Sequence, residues 1–584
     1  MELVILNQLY TEWVWRNPLT KEVDTEIAIN PSHRHLFHGD IYDDITEELI
    51  TPSPYRTQKD ISCILDYKGS THGRSKDKLF YRCIPDDKTL PQFLVAYQPK
   101  STGFDKTKIN KYVLIQFKEW TEQEKHPIGT LTTMLGDVDN YDAYSEYQLY
   151  SKGLVISLKE FNKETLFLKN KKAQDALIDS ICECYPTIEN RTHLNIFSID
   201  PEGCTDIDDA IGIVEHLNHT VISVYIANVP LILDHFNLWQ HLTDKCSTIY
   251  LPMHKLPMLP PILSDTICSL LEEELRFAFV LDIVMGANSP LSIAFKTVLI
   301  KVSKNYVYEE ADLLANTDYQ QLLKLTQSID RKIIDSHDLV EYYMIYMNWQ
   351  AALKLVDYNC GILRSAHMKS AHMESAHMES AQEETKLNSL PSDITKFITN
   401  WKYAEGHYCT IENKSSHDLV GKGYEVYTHI TSPIRRLVDV INMTLLQGKL
   451  GLIKYRNVAA VKFCELWSSN TQVDFMNTSM KNIKKVQNNC TLLALYIKNK
   501  ESRKNHSVIG YIVDMSTDNN NNDNNDNKKI KHNYVYTVYV PDYKMISTFK
   551  SNELMEPYTS CKFTLHLFMD EANLKQKIRL QKTI

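Results

Sequence analysis

Five acidic residues fall within ten positions in Asp200-Pro201-Glu202-Gly203-Cys204-Thr205-Asp206-Ile207-Asp208-Asp209, and no basic residue interrupts them. Carboxylates this close repel one another unless a cation sits among them or their pKa values rise. Pro201 and Gly203 bend the backbone, which predicts that Asp200 folds back toward the Asp206 to Asp209 group. Hard oxygen ligands of this kind suit Mg²⁺ or Mn²⁺, and two such ions can activate water and stabilise a leaving oxygen in phosphoryl chemistry. A calcium loop of the EF-hand type fails, because its obligatory glycine would fall on Ile211. A solvated acidic turn with no ligand is the competing reading.

A second constellation is Tyr427-Thr428-His429-Ile430-Thr431-Ser432-Pro433-Ile434-Arg435-Arg436-Leu437. Ser432 before Pro433 predicts a helix start, with the hydroxyl as cap and the proline at the first helical position. Leu437, Val440, Ile441 and Leu445 give the apolar stripe and Gly448 the end. Arg435 and Arg436 then occupy the first turn, where cations are unfavourable unless an anion such as phosphate binds there. A surface arginine pair is the alternative. The third stretch is Ser247-Thr248-Ile249-Tyr250-Leu251-Pro252, then Leu256-Pro257-Met258-Leu259-Pro260-Pro261 and Ser264-Asp265-Thr266-Ile267-Cys268-Ser269-Leu270. Its paired prolines predict a rigid loop before a short capped helix. Tyr250 on that loop either stacks a base or packs in a core.

The elements that must position these residues change character along the chain. Up to about residue 150 the pattern is short strands such as Phe80–Ile84 and Tyr112–Phe117 between turn residues, as in small barrels. Apolar strands continue from about 190 to about 300. Leu339, Tyr343, Met347, Ala351 and Leu355 then recur at steps of four, the signature of a helix, and Phe463 to Lys485 is also helical in pattern. Ser507 to Val513 and Tyr534 to Val540 read as a hairpin around the all-Asn/Asp run 518–527, which lacks apolar residues to bury. A five-residue repeat, Ser-Ala-His-Met-Lys/Glu, occupies 365–381 and reads as an expanded surface loop. Its histidines, 367, 372 and 377, advance about 500° per step on a helix and do not share a face.

The 584 residues suffice for about four domains, and 43% hydrophobic with 10% aromatic content is ordinary for a globular chain. The formal charge of −9 argues against gripping nucleic acid by bulk charge alone, although it is silent about a local basic channel. Twelve cysteines without paired metal-site spacing suggest a reducing compartment. With no signal or membrane-length apolar run, the chain reads as soluble and intracellular, most simply cytoplasmic, with no membrane partner.

Taken in order, the Asp-Pro-Glu-Gly…Asp-x-Asp-Asp, Tyr-Leu-Pro…Pro-Met-Leu-Pro…Cys-Ser-Leu and Thr-Ser-Pro-Ile-Arg-Arg stretches resemble the signatures of the ribonuclease II (RNB) family of 3′-to-5′ exoribonucleases. Phe37-His38-Gly39-Asp40, Ile84-Pro85-Asp86-Asp87 and Pro127-Ile128-Gly129 resemble its cold-shock-like barrels, and Val540-Pro541-Asp542-Tyr543 its S1 barrel. The resemblance leaves no room for an N-terminal endonuclease domain of the kind some exosome members carry.

The resemblance implies a multidomain α+β fold, an RNB catalytic domain of mixed sheet and helices flanked by small OB-type β-barrels. Expected boundaries are a cold-shock-like barrel at 1–78, a second at 79–152, a linker at 153–189, the catalytic domain at 190–495 with the 365–381 insertion, and an S1-like barrel at 496–584 with a disordered 516–532 loop. It further implies that Asp200, Asp206 and Asp209 hold two Mg²⁺ (or Mn²⁺) ions and that Asp208 positions the 3′-terminal nucleotide. Arg435 would stabilise charge on the scissile phosphate, Tyr250 would clamp the last bases, and Arg436, Thr431 and Ser432 would contact the RNA. The implied substrate is single-stranded RNA, degraded processively by a monomer to 5′-mononucleotides. Three departures stand out: Gln487, Asn488 and Asn489 replace a region where bacterial members carry a catalytic glutamate, the second stacking aromatic falls near Cys360, and Ala-Asp-Val reads Ala227-Asn228-Val229. A catalytically silent RNB-fold RNA-binding protein and a deoxyribonuclease are the alternatives.

Overall fold

The computed structural model describes the chain except residues 25–28, 99–107, 122, 287–289, 367–385, 388, 392, 396, 399–405, 415–423, 502–506, 518–533, 571–573 and 584. The histidine repeat from residue 367 onward and the Asn/Asp run lie outside the described residues. Two compact units are formed, one from 1–155 with 484–584, the other from 156–483.

The first unit is built from three β-sheets. Residues 2–51 form a five-stranded antiparallel sheet. Its Phe37-His38-Gly39-Asp40 turn is held by the buried Asp40 carboxylate, which accepts from the N–H groups of Phe37 and Ser53 and from Arg56. The second sheet runs from Ile61 to Asp137 and closes on itself, since Ile61–Leu65 pairs with both Lys111–Glu119 and Lys78–Pro85. Closure removes the open edges, and inward Cys63, Tyr81, Phe93, Val95, Val113 and Ile115 fill the interior. Residues 61–78 therefore belong to the second barrel and not, as expected, to the first; the turn-rich 52–60 segment is the break. The five strands after residue 506 form an antiparallel sheet, in which Ser507–Thr517 and Tyr534–Val540 pair as the sequence pattern predicts.

The second unit carries the acidic segment. Its seven-stranded mixed sheet has the order Glu189–Asn190, Pro290–Lys301, Leu275–Met285, Thr220–Ala227, Asp209–Glu215, Ile196–Asp200, Lys304–Val307. The two outermost pairings are parallel and the rest antiparallel. Helices cover the sheet. The steps of four at Leu339, Tyr343, Met347, Ala351 and Leu355 fall on helix Ser336–Asp357, and all five are buried. Residues 153–189, expected as a linker, instead contain helices Lys159–Glu164 and Lys171–Cys184. Phe161, Leu177, Ile181 and Tyr185 join the main core, because the helical spacing of those residues supplies an apolar face with a partner. The helical pattern at 463–485 breaks at Ser468–Ser469 into Val458–Trp467 and Asn470–Glu501.

Two buried polar pairs fix this sheet. Arg191 makes two 2.7 Å hydrogen bonds to the Asp282 carboxylate, which also accepts from Ser223. Asn228 and Gln447 exchange amide hydrogen bonds of 2.8 and 3.1 Å, and Thr297 donates to the same Gln447 oxygen. Asn228 also caps helix Val229–His235. The amide in place of the family's aspartate is thus satisfied as a neutral group, with no cation required.

Burial alone would raise the Asp282 pKa, but the Arg191 hydrogen bonds outweigh it and hold the group below the usual carboxylate range. The pair's contribution is therefore present above an ordinary carboxylate pKa of about 4 and is lost as the pH falls through the lowered value. Arg191→Met, which leaves the Asp282 charge only Ser223 and the half-exposed Lys296 at 3.4 Å, is expected to cost about 3 kcal/mol, read as a lower urea midpoint at neutral pH. An unchanged midpoint would show that the pair contributes nothing.

Candidate active site

Asp200 ends one strand of the seven-stranded sheet and Asp209 begins its antiparallel neighbour, so register alone brings them to the same end. Between them the chain turns tightly. Cys204 N–H bonds to Pro201 O at 3.1 Å, and Gly203 at φ +77° occupies the turn position that needs a left-handed residue. The following loop is braced by the Cys-Ser-Leu stretch. The Ser269 hydroxyl accepts from Ile207 N–H and donates to Thr205 O, and Leu270 N–H bonds to Ile207 O. Ala227 N–H then reaches Asp208 O at 2.8 Å, which fixes Asp208 on the sheet edge.

The other two motifs interlock beside this loop. Leu437 N–H bonds to Cys246 O, Thr248 N–H to Arg435 O and the Ser247 hydroxyl to Arg435 O. This strand-like contact changes the helix expected at Ser432. Pro433–Arg435 make a single turn, Arg436 is extended and bridges Ser247, and the helix runs from Leu437 to Lys449. It continues past Gly448 because the left-handed glycine that follows it is Gly451. Similarly, the helical turn before Cys268 begins ahead of Ser264, whose hydroxyl donates to Asp265.

The displaced helix start aims Arg435 at the acids. Its Nε donates to Asp208 Oδ2 at 3.0 Å, its Nη2 to Ser432 Oγ at 3.0 Å, and Ile434 N–H to Asp208 Oδ1 at 2.8 Å. Arg436 turns the other way, to the fully buried Asp439, whose Oδ1 also accepts from Ser432 N–H. Thr431 and Ser432 are each 3% exposed. Arg436, Thr431 and Ser432, expected to contact the RNA, form part of the frame that presents Arg435. Asn348 extends that frame by donating to Tyr427 Oη and accepting from Ile430 N–H.

Tyr250 is 40% exposed, which excludes the core-packing reading, and its hydroxyl donates to Asp206 Oδ2 at 2.5 Å. Lys255 lies opposite Tyr250 in a two-stranded hairpin, so the two side chains share a face. Its ammonium donates to Asp206 Oδ1, Thr205 Oγ1 and Asp265 Oδ1 at 3.1, 2.8 and 2.9 Å. Lys255, Asp265, Ser269 and Asp439 were not singled out as site residues in the sequence.

Burial dominates the electrostatics. It pushes Asp200 up to about 6, with Asp206 adding and Ser198 and Arg435 opposing, and Asp208 up to about 7 against Arg435 and the Ile434 N–H. Asp209 rises well above the carboxylate range through burial and the neighbouring Asp200 and Asp208. Asp200 Oδ2 is buried with no hydrogen-bond partner. A buried, partnerless carboxylate oxygen beside a second strongly destabilised carboxylate is what a divalent cation would relieve, and the all-oxygen donor set suits a hard ion. Glu309, Asp335 and His337 also converge, with ligand atoms within 4.8 Å of one another, but Glu309 bonds Ser336 and Asp335 caps a helix.

The departures have separate settings. Cys360 is half-buried after helix Ser336–Asp357, and Tyr358 is the exposed aromatic beside it. In the barrel unit, Asn489 donates to Gln148. All twelve cysteines are free thiols. Among the described residues no helix is long and apolar enough to cross a membrane.

The RNB domain model matches residues 188–332 and 318–451, and the Dis3-like cold-shock domain 2 model matches 80–151. The probable exosome complex exonuclease RRP44 of Caenorhabditis elegans is 22% identical over 456 residues, covering 63% of this chain and 44% of the relative. The chain thus spans less than half the length of that relative. Mycoplasma genitalium RNase R, solved in complex with ribose-methylated single-stranded RNA, superposes with a TM-score of 0.64 at 15% identity, over 99% of this chain and 100% of the other. Yeast Ssd1, described as a pseudonuclease, gives 0.55 at 14%, over 93% and 72%. The RNB match spans all three interlocked motifs and the cold-shock match covers residues 80–151 of the barrel unit, so this chain contains an RNB domain and a Dis3-like cold-shock domain.

Proposed function

We propose that this chain is a divalent-metal-dependent 3′-to-5′ exoribonuclease that hydrolyses single-stranded RNA processively to 5′-mononucleotides. The observation that carries the reading is that Asp200 and Asp209 meet at one end of the sheet while the loop between them holds Asp208 against Arg435 and Asp206 against Tyr250. Exonuclease relatives and an RNA-bound fold neighbour support the substrate class.

Asp200, Asp206 and Asp209 would hold Mg²⁺ or Mn²⁺, one or two ions, which when bound would supply Lewis-acid stabilisation of the phosphate and an activated water. The protein's own groups do the rest. Asp208 is clamped by Ile434 N–H and Arg435, so it holds the guanidinium in one orientation and gives the 3′ nucleotide a fixed wall. Arg435 faces the charge that grows on the scissile phosphate. It stays protonated because Asp208 outweighs the effect of its burial. Tyr250 offers a half-exposed ring on which a terminal base can stack.

A silent RNA-binding protein is the second reading, favoured by one observation: both oxygens of Asp206 are engaged by Tyr250 and Lys255. A 5′-labelled oligoribonucleotide incubated with and without Mg²⁺ separates the two. Metal-dependent single-nucleotide laddering is expected, with no laddering of the matching deoxyribonucleotide. Asp208→Asn and Arg435→Lys should each lower kcat by roughly 10²-fold or more with a smaller effect on KM, as removal of a transition-state contact does. Binding without cleavage by the wild-type protein would establish the silent reading.

The shifted carboxylates set the pH dependence. Asp200 and Asp209 have raised folded-state pKa values, so protonation stabilises the metal-free fold at low pH and that contribution is lost as the pH rises through them. Metal binding needs the deprotonated forms. The rise in Tm on adding Mn²⁺ should accordingly be large at about pH 8 and nearly absent at about pH 5. A pH-independent rise would place the ion elsewhere.

A further inference from the structure

Resting on the reading of the acidic pocket as a metal site, we infer that Lys255 is an internal counter-ion that occupies Asp206 and leaves the pocket with one strong divalent-ion site, at Asp200 and Asp209. The argument is one of charge matching. Of the four aspartates, Asp208 is paired with Arg435 at 3.0 Å and Asp206 with Lys255 at 3.1 Å. Asp200 and Asp209 remain, two carboxylates that one divalent ion balances, and Asp200 supplies the buried oxygen without a partner.

Lys255 is built into this position. Its hairpin register opposite Tyr250 fixes the direction of the side chain, and its ammonium spends all three protons on Thr205, Asp206 and Asp265. Asp265 is itself held by the Ser264 hydroxyl. The Tyr250 hydroxyl closes the remaining Asp206 oxygen. A second ion at Asp206 must therefore displace a three-bonded lysine and meet its positive charge at close range, which lowers affinity. Lys255 touches no reacting atom in this arrangement and acts as a positioning residue. It would set the number of ions the pocket holds, and with it the metal concentration at which the site fills.

The test is a Mn²⁺ titration of the full-length protein, followed by calorimetry and by the loss of free-ion EPR signal. Wild type and Lys255→Arg should each bind one ion tightly and a second weakly. Lys255→Met should bind the second ion roughly tenfold or more tighter, the effect of removing a cation next to a buried carboxylate. Far-UV circular dichroism and Tm of the metal-free variants check that the fold is kept, and Lys255→Gln, which removes the charge while keeping a hydrogen-bond donor, should shift the second site in the same direction. Two equal sites in wild type, or no change in both Lys255→Met and Lys255→Gln, would overturn the inference. Absence of any binding in wild type would instead overturn the reading of the pocket as a metal site.

Discussion

Four carboxylates gathered at the edge of an apolar sheet must be compensated, and the compensation organises the rest of the catalytic-type unit. Asp208 is 3% exposed. An isolated charge at that depth would either neutralise or unfold its surroundings. The Arg435 guanidinium and the Ile434 N–H prevent this, but only because Arg435 is delivered from a distant part of the chain at a fixed angle. That angle depends on the bridge between Ser247 and Arg436, on the buried Asp439 that draws Arg436 away, and on Asn348 gripping the 427–431 segment. The three motif segments are one hydrogen-bonded assembly, in which disturbing any member moves the guanidinium.

The same logic explains the polar residues buried elsewhere in the sheet. Asn228 follows Ala227, whose N–H bonds to Asp208 O. As an aspartate it would add a further negative charge near the pocket; as an asparagine it both donates to and accepts from Gln447. Arg191 and Asp282 close a second pair under the sheet with two short bonds. Each is a satisfied group in a region that would otherwise tolerate only apolar side chains. The raised carboxylate pKa values collect at Asp200, Asp208 and Asp209 and at Asp439 behind them.

Much of the fold was legible because its signals are local. The steps of four from Leu339 to Leu355 specify one buried helical face, and that face is buried. The strand pattern around the Asn/Asp run specifies a hairpin, and its strands pair. The misreadings share a cause. Ile61–Leu65 looks like any short strand, and only its simultaneous pairing with two partners assigns it to the closed barrel. Leu177 and Ile181 form a short amphipathic face that reads as linker until a core is there to receive it. Ser432-Pro433 is a sound local helix start, overruled by backbone bonds to residues nearly two hundred positions earlier in the chain.

Residue type and spacing alone determined that this chain carries a clustered acidic segment, a paired-arginine segment and the RNB-domain signature they form, because carboxylates at such density have few uses and the three motifs occur in a specific order. Tertiary structure decided which arginine faces the acids. Arg435 and Arg436 are adjacent and chemically identical, and the strand-like contact with Ser247 sends one to Asp208 and the other to Asp439. It also decided that Lys255 belongs to the site, since nothing in its sequence neighbourhood announces a partner 49 residues away. Direction and distance between side chains far apart in sequence are set by long-range backbone pairing, and that information exists only once the chain has folded.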